Sequence, residues 1–95
     1  MSNTTNGSFT ATGNSAAVRG DQVDVLLSGT FTATISLQVE DNGGNWIDVP
    51  DQSHSASVFS GSGSALARNW RLACTGFTSG EAVYELSAAT ATDRR

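Results

Sequence analysis

Hydrophobic and polar residues alternate most regularly between Phe31 and Val39. Every odd-numbered position in this segment is apolar, and every even-numbered position is Thr, Ser or Gln. Because successive side chains on a strand point to opposite faces of the sheet, this alternation predicts a strand with one face packed and one face in water. We expect Ile35 and Leu37 to lie in the core.

The next residues predict a tight hairpin. Glu40–Asn45 contains an Asn-Gly and a Gly-Gly pair, which tolerate the positive φ angles that tight turns require. Trp46–Val49 is then expected to return antiparallel to the preceding strand. We predict that Gly43 supplies the positive φ.

Strand signals recur along the rest of the chain at intervals of roughly ten residues, separated by glycines. No segment shows the 3.6-residue periodicity of a helix. The predicted fold class is all-β, a two-layer antiparallel β-sandwich of jelly-roll or Ig-like type with seven to eight strands. The candidate strands are Ser8–Ala11, Ala16–Arg19, Val23–Leu27, Phe31–Val39, Asn45–Val49, Ser55–Phe59, Arg68–Cys74 and Ala82–Ala88.

Two later strands also show which of their side chains face the core. Trp70, Leu72 and Cys74 fall on one face of their strand, so we expect Cys74 to be a small buried apolar residue rather than a reactive thiolate. The last strand is expected to point the following side chains inward: Ala82, Tyr84, Leu86 and Ala88.

The chain is predicted to form one domain with polar ends. Residues 1–8 are expected to be a flexible or docking N-terminal arm, residues 9–88 the β-sandwich, and residues 89–95 a C-terminal tail. Ser60–Ser64 consists of alternating Ser and Gly and predicts a mobile loop. Thr75–Gly80 is expected to be a longer loop between the last two strands.

Composition narrows the possible partners. The chain contains no Lys, and its net charge of −4 repels phosphate, so we expect no nucleic-acid partner. Without a signal peptide or an apolar run of membrane-spanning length, it is expected to be made in a cytoplasm, to remain soluble and to have no membrane partner. A single Cys excludes an internal disulfide.

The residue types for metal binding are present without a recognisable spacing. Carboxylate and amide oxygens suit calcium, but their arrangement matches no known calcium loop. We therefore predict no metal site and no cofactor. The candidate oxygen ligands are Asp41, Asn42, Asp48 and Asp51. Zinc is not expected, because His54 and Cys74 lack a further soft ligand.

Catalytic residues are also missing in a usable arrangement. His54 lies between Ser53 and Ser55, but neighbours on a strand point to opposite faces and cannot form a nucleophile–base pair. A pair of catalytic carboxylates would need a walled pocket to separate their pKa values, and 95 residues of thin β-sandwich leave little mass for one. We predict that the protein is not an enzyme.

The hairpin sequence resembles a known structural motif. Asp41-x-Gly43-x-x-Trp46 is similar to the Asp-box hairpin of sialidases and related β-proteins, although Val39 and Asn45 replace its Ser and Thr. The resemblance implies a folding element rather than a ligand site. Asp41 is expected to accept hydrogen bonds from turn amides and Trp46 to cap the core.

Three stretches together resemble short β-sandwich virion proteins of tailed bacteriophages. These stretches are Leu27–Phe31, Leu37–Trp46 and Trp70–Gly80, and the similarity covers about residues 23–88. Trp70 stands where the family has Tyr, which preserves the β pattern. The resemblance implies a structural protein of the virion that is made in the host cytoplasm.

Two functions fit this resemblance. The first is a capsid decoration or cement protein that binds the major capsid protein or another virion protein, as a homo-oligomer (dimer or trimer). The second is an adhesin-like module, Ig-like or carbohydrate-binding, on a tail fibre or spike. A sugar site needs an exposed aromatic platform, and the expected core positions of Trp46 and Trp70 favour decoration.

Overall fold

The computed structural model describes residues 2–89, with side chains from Thr4 onwards, and these residues form seven β-strands and no helix. All strand pairs are antiparallel. The predicted all-β class and strand number are confirmed. The strands are β1 (Ser2–Phe9), β2 (Gly13–Asn14), β3 (Val18–Ser28), β4 (Phe31–Glu40), β5 (Trp46–His54), β6 (Val58–Gly80) and β7 (Ala82–Ala89).

The strands follow the order β1-β7-β3-β6-β4-β5, and β2 pairs with β6 beside this path. The 23-residue strand β6 connects the two halves of the sheet. Its residues 58–70 pair with β3, and its residues 70–80 pair with β4. The core cluster contains buried residues from both halves, and several of them are completely buried. An open sheet cannot bury the side chains of a face by itself. The two halves must therefore pack face to face as two layers.

The predicted core residues lie in this cluster. Ile35, Leu37 and Leu72 have no exposed surface, and Trp70 is 3% exposed. Cys74 is buried as expected, and its burial raises the pKa of the thiol. Of the four inward positions predicted on the last strand, Ala82, Leu86 and Ala88 are buried, and Tyr84 packs against the cluster.

The N-terminal segment differs from the prediction. Residues 2–8 belong to β1, which pairs with β7 in an unbroken register from Ser2↔Ala89 to Phe9↔Ala82. Phe9 is buried and stacks on Tyr84 with ring centroids 4.7 Å apart. An edge strand with mostly polar side chains shows little hydrophobic–polar alternation, so its sequence predicts a strand only weakly. In the predicted C-terminal tail, Ala89 ends β7, and residues 90–95 lie outside the described residues.

Both predicted loops are wrong, because Ser60–Ser64 and Thr75–Gly80 are parts of β6. Buried Gln52 holds the serine-rich part, since its Nε2 donates to Ser60 Oγ at 2.9 Å and Ser62 Oγ at 3.0 Å. The later part pairs with β4, with register shifts between Thr32 and Ala33 and between Thr34 and Ile35. Pairing with neighbouring strands thus overrides the local preference for a loop.

Truncating the central residues of β4 should test the core assignment. We expect Ile35→Ala or Leu37→Ala to lower the free energy of unfolding by about 2–5 kcal/mol, because each leaves a cavity in a fully buried site. The matched control is Thr34→Ala on the exposed face of the same strand, where we expect a change within about 0.5 kcal/mol. Urea unfolding measures all three, and equal small losses would mean that the strand faces are inverted.

Candidate functional site

The β4–β5 hairpin is built around the Asp41 carboxylate. Its Oδ1 accepts hydrogen bonds from the backbone N–H groups of Gly43 at 2.8 Å and Asn45 at 2.9 Å. The Asn45 amide, together with the other turn donors, holds the pKa of the Asp41 carboxyl below its usual value. The main chain closes the turn through the Asp41 N–H, which donates to the Asn45 carbonyl at 2.8 Å. Asp41 therefore occupies the turn position that the Asp-box resemblance implies.

The glycine prediction in this turn is wrong by one residue. Gly44 has a φ of +85°, whereas Gly43 has no positive φ. Gly43 instead lies beneath Asp41, and a Cβ there would be 3.4 Å from Asp41 Oδ1. The sequence contains Asn-Gly and Gly-Gly in succession, so either glycine could have supplied the positive φ. The hydrogen bonds that Asp41 accepts in the turn decide between them.

Trp46 does not cap the core, contrary to the prediction. It pairs with Glu40 and lies half-buried on the outer face of β5, away from the core cluster. The Arg71 guanidinium lies over its ring, 4.3 Å from the centroid. This cation–π contact depends on β4 lying between β5 and β6, an order that the sequence pattern did not predict.

A row of side-chain hydrogen bonds fixes Arg71 in place. Arg71 Nε donates to Gln38 Oε1 at 2.9 Å, and Gln38 Nε2 donates to Asp48 Oδ1 at 2.9 Å. We call the surface of Gln38, Trp46, Asp48 and Arg71 the Trp46 patch. It combines an aromatic ring, a guanidinium, an amide and a carboxylate on three adjacent strands.

A second row extends the same face toward β3. Asn69 Nδ2 donates to Glu40 Oε1 at 2.7 Å, and Arg19 Nη1 donates to Asn69 Oδ1 at 3.2 Å. These bonds orient polar groups on β4, β6 and β3 before any partner arrives. Such preorganisation reduces the entropy lost on binding.

The other half of the sheet carries an exposed apolar surface. Leu26 on β3 lies directly opposite Phe59 on β6, and Leu26 and Val83 line one shallow depression. Phe59 is 72% exposed, Val83 42% and Leu26 40%. We call these three residues the Phe59 patch. Asp24 and Glu85 flank it at adjacent outward positions.

The sequence contained a partial signal for the Phe59 patch. Val83 and Leu26 are apolar residues at outward positions of alternating strands, where water-facing residues are expected. Phe59 could not be added to them, because its strand was predicted to end where β6 in fact begins its pairing with β3.

The residues considered for catalysis lie apart, as strand alternation requires. His54 pairs with Ile35, and Ser53 pairs with Ser36 on the opposite face. His54 Nε2 is 2.8 Å from Gln52 Oε1, within the polar interior of the sandwich. Because Gln52 Nε2 is already the donor to the serines of β6, this contact makes His54 Nε2 the donor.

Two of the acidic residues considered for a metal are engaged in hydrogen bonds within the protein. Asp41 is held in the turn, and Asp48 binds Gln38 on the outer face. Asp51 has a φ of +63° within β5. Among residues 2–89, no group of three or more His, Cys, Asp or Glu side chains is placed to hold a metal ion.

No helix in the described part of the chain could cross a membrane. No family model, curated protein sequence or solved structure matches this chain. Function therefore has to be inferred from the two patches and from the resemblance of the sequence motifs.

Substitutions in the turn separate the roles of its two glycines. We expect Gly44→Ala to lower the free energy of unfolding by about 1–2 kcal/mol, because a Cβ is unfavourable at its positive φ. Gly43→Ala is the matched control and should cost less, since the φ of Gly43 is not positive. Thermal and urea unfolding of both variants measures the difference, and a larger loss at Gly43 would contradict this turn geometry.

Proposed function

We propose that this protein is a non-enzymatic structural protein of a tailed-phage virion, a decoration or cement protein that binds the head shell as a small symmetric oligomer. The observation that carries this proposal is the Phe59 patch. Exposed apolar side chains that lie together on one face are characteristic of protein interfaces. The resemblance of the sequence motifs to virion proteins supplies the context.

The Phe59 patch has the composition expected of an interface centre. Burying a large apolar side chain contributes about 1.5–3 kcal/mol, and Phe59 leaves most of its surface in water. Two of its outward neighbours are small, because Gly61 follows it on β6 and Ser28 lies nearby on β3. A partner surface can therefore approach the sheet closely and cover the ring.

The charges around the patch indicate the chemistry of the partner. Asp24 and Glu85 lie beside the apolar residues, and no basic residue occupies an outward position of β1, of β7 or of β3 from Gln22 onwards among the described residues. A partner with an apolar centre and a basic rim would match this face. The major capsid protein or another virion protein is the proposed partner.

Attachment to the head shell provides the test. Phe59→Ser should weaken binding of the purified protein to heads that lack it by tenfold or more, equivalent to about 1.4 kcal/mol. The matched control is Ile47→Ser, because Ile47 is a large apolar residue that is 50% exposed on β5, a strand that contributes nothing to the Phe59 patch. Circular dichroism checks that both variants remain folded.

The composition of the virion tests whether the protein lies on the head or on the tail. Decoration requires many copies on the head shell, in a density map or by quantitative mass spectrometry of purified particles. If the protein is missing from the head, or present only in the few copies of a tail structure, the proposal is wrong. Equal head binding by Phe59→Ser and Ile47→Ser would reject the Phe59 patch as the contact.

A specific observation supports the adhesin-like alternative. Trp46 lies on the outer face beside Gln38, Asp48 and Arg71, and the same aromatic residue had been expected in the core. Carbohydrate-binding sites combine an aromatic ring with oriented polar side chains. Arg71 covers the ring, however, so a sugar would need to bind at the guanidinium or displace it. This cover makes decoration the better-supported function.

Sugar binding can be measured directly on the isolated protein. If the Trp46 patch is a carbohydrate site, a panel of neutral oligosaccharides should include one that binds in calorimetry, and Trp46→Ala should abolish this binding. Phe59→Ser is the control and should leave it unchanged. No binding by the unmodified protein at millimolar sugar would end the carbohydrate alternative.

A further inference from the structure

The order of the strands leaves β1 and β5 at the two ends of the sheet. An edge strand presents unpaired backbone N–H and C=O groups, and these can pair with a strand of another molecule. Natural proteins commonly block such edges with proline, charged side chains or bulges. These two end strands differ sharply in these features.

The β5 edge is interrupted. Its pairing with β4 shifts register between Ser36 and Gln38, so the residues from Val49 to Gln52 bulge out of the ladder. Pro50 lacks an N–H group, and Asp51 adopts a φ of +63°. Together with the Asp48 and Asp51 carboxylates, these features prevent a regular strand from adding to β5.

The β1 edge carries none of these features. Its register with β7 is continuous over all eight residues, without a bulge. The segment contains no proline and no ionisable side chain. It is the only strand longer than two residues, among those described, that lacks an ionisable group. Thr4 and Asn6 have exposed, uncharged side chains.

The lack of ionisable side chains on β1 allows a second copy of this chain to pair with its edge. Each copy carries a net charge of −4, so two copies repel one another wherever acidic faces approach. Two β1 edges meet without placing carboxylates directly opposite each other. Thr and Asn side chains across an antiparallel pair can instead form favourable cross-strand contacts.

We propose that two copies associate through antiparallel pairing of their β1 strands, joining the two sheets across a two-fold axis. Antiparallel pairing of identical edges is isologous and closes at two copies. The inference rests on the proposed function only in that both assume a small symmetric oligomer, and it selects a dimer over a trimer. It leaves the Phe59 patch of both copies uncovered for a different partner.

Sedimentation velocity of the isolated protein, across a wide range of concentrations, tests the dimer. The edge variant is Thr4→Glu with Asn6→Glu, which places carboxylates along both facing strands. The matched control is Thr32→Glu with Thr34→Glu, which adds the same charge at exposed positions of β4, four places from β1 in the strand order. We expect the unmodified protein and the control to dimerise with similar dissociation constants, and the edge variant to dimerise at least tenfold more weakly.

Hydrogen exchange supplies a second measurement if the edge variant folds poorly. In the unmodified protein, amides of residues 4–8 that face away from β7 should become protected as the concentration rises into the dimer range. A monomer at every concentration, a trimer, or equal dimerisation of edge variant and control would overturn the proposal. Loss of the dimer in Phe59→Ser alone would assign self-association to the Phe59 patch. Because no head shell is present, these outcomes are independent of capsid attachment.

Discussion

Trp70 lies where one strand passes from the first layer to the second, and the rest of the fold depends on that crossing. It pairs with Val18 of β3 on one side and with Val39 of β4 on the other. Its buried indole Nε1–H donates to the Gly20 carbonyl oxygen at 2.9 Å. Gly20 itself packs against the end of β7, where a Cβ would lie 2.6 Å from the Ala89 carbonyl oxygen. One aromatic residue thus ties three strands together, and a glycine allows their backbones to approach.

The layers are held by different chemistry along β6. Beyond Trp70, the strand contributes Leu72 and Cys74 to an apolar core. Before it, the inward residues include Ser60 and Ser62, and Gln52 donates to both while its own oxygen binds His54. Buried amides and hydroxyls are costly unless they are paired, so this polar interior requires β5 and β6 to be positioned accurately. The serine-rich segment is ordered by its partners rather than by its own composition.

The two outer faces carry patches that suit different functions. The Trp46 patch is polar and internally hydrogen-bonded, whereas the Phe59 patch is apolar and open. A sheet can carry both because outward residues on its two halves belong to separate surfaces. The uncharged β1 edge adds a third surface, suited to strand pairing. The proposed dimer contact and the proposed partner contact therefore use different parts of the sheet.

Local pattern was sufficient for the features that depend on nearby residues. Alternation identified the buried face of β4, including Ile35 and Leu37, because side-chain direction on a strand has a period of two. Turn residues identified the β4–β5 hairpin, which among the described strands is the only pairing in the sheet order between neighbours in sequence. The choice between Gly43 and Gly44 already depended on the hydrogen bonds of Asp41. The remaining strand pairs in that order join segments that are not consecutive in sequence, and no local pattern specifies which of them meet. Tertiary structure alone therefore made polar residues 2–8 a strand, drew Ser60–Ser64 into β6 and moved Trp46 from the expected core to a surface beneath Arg71.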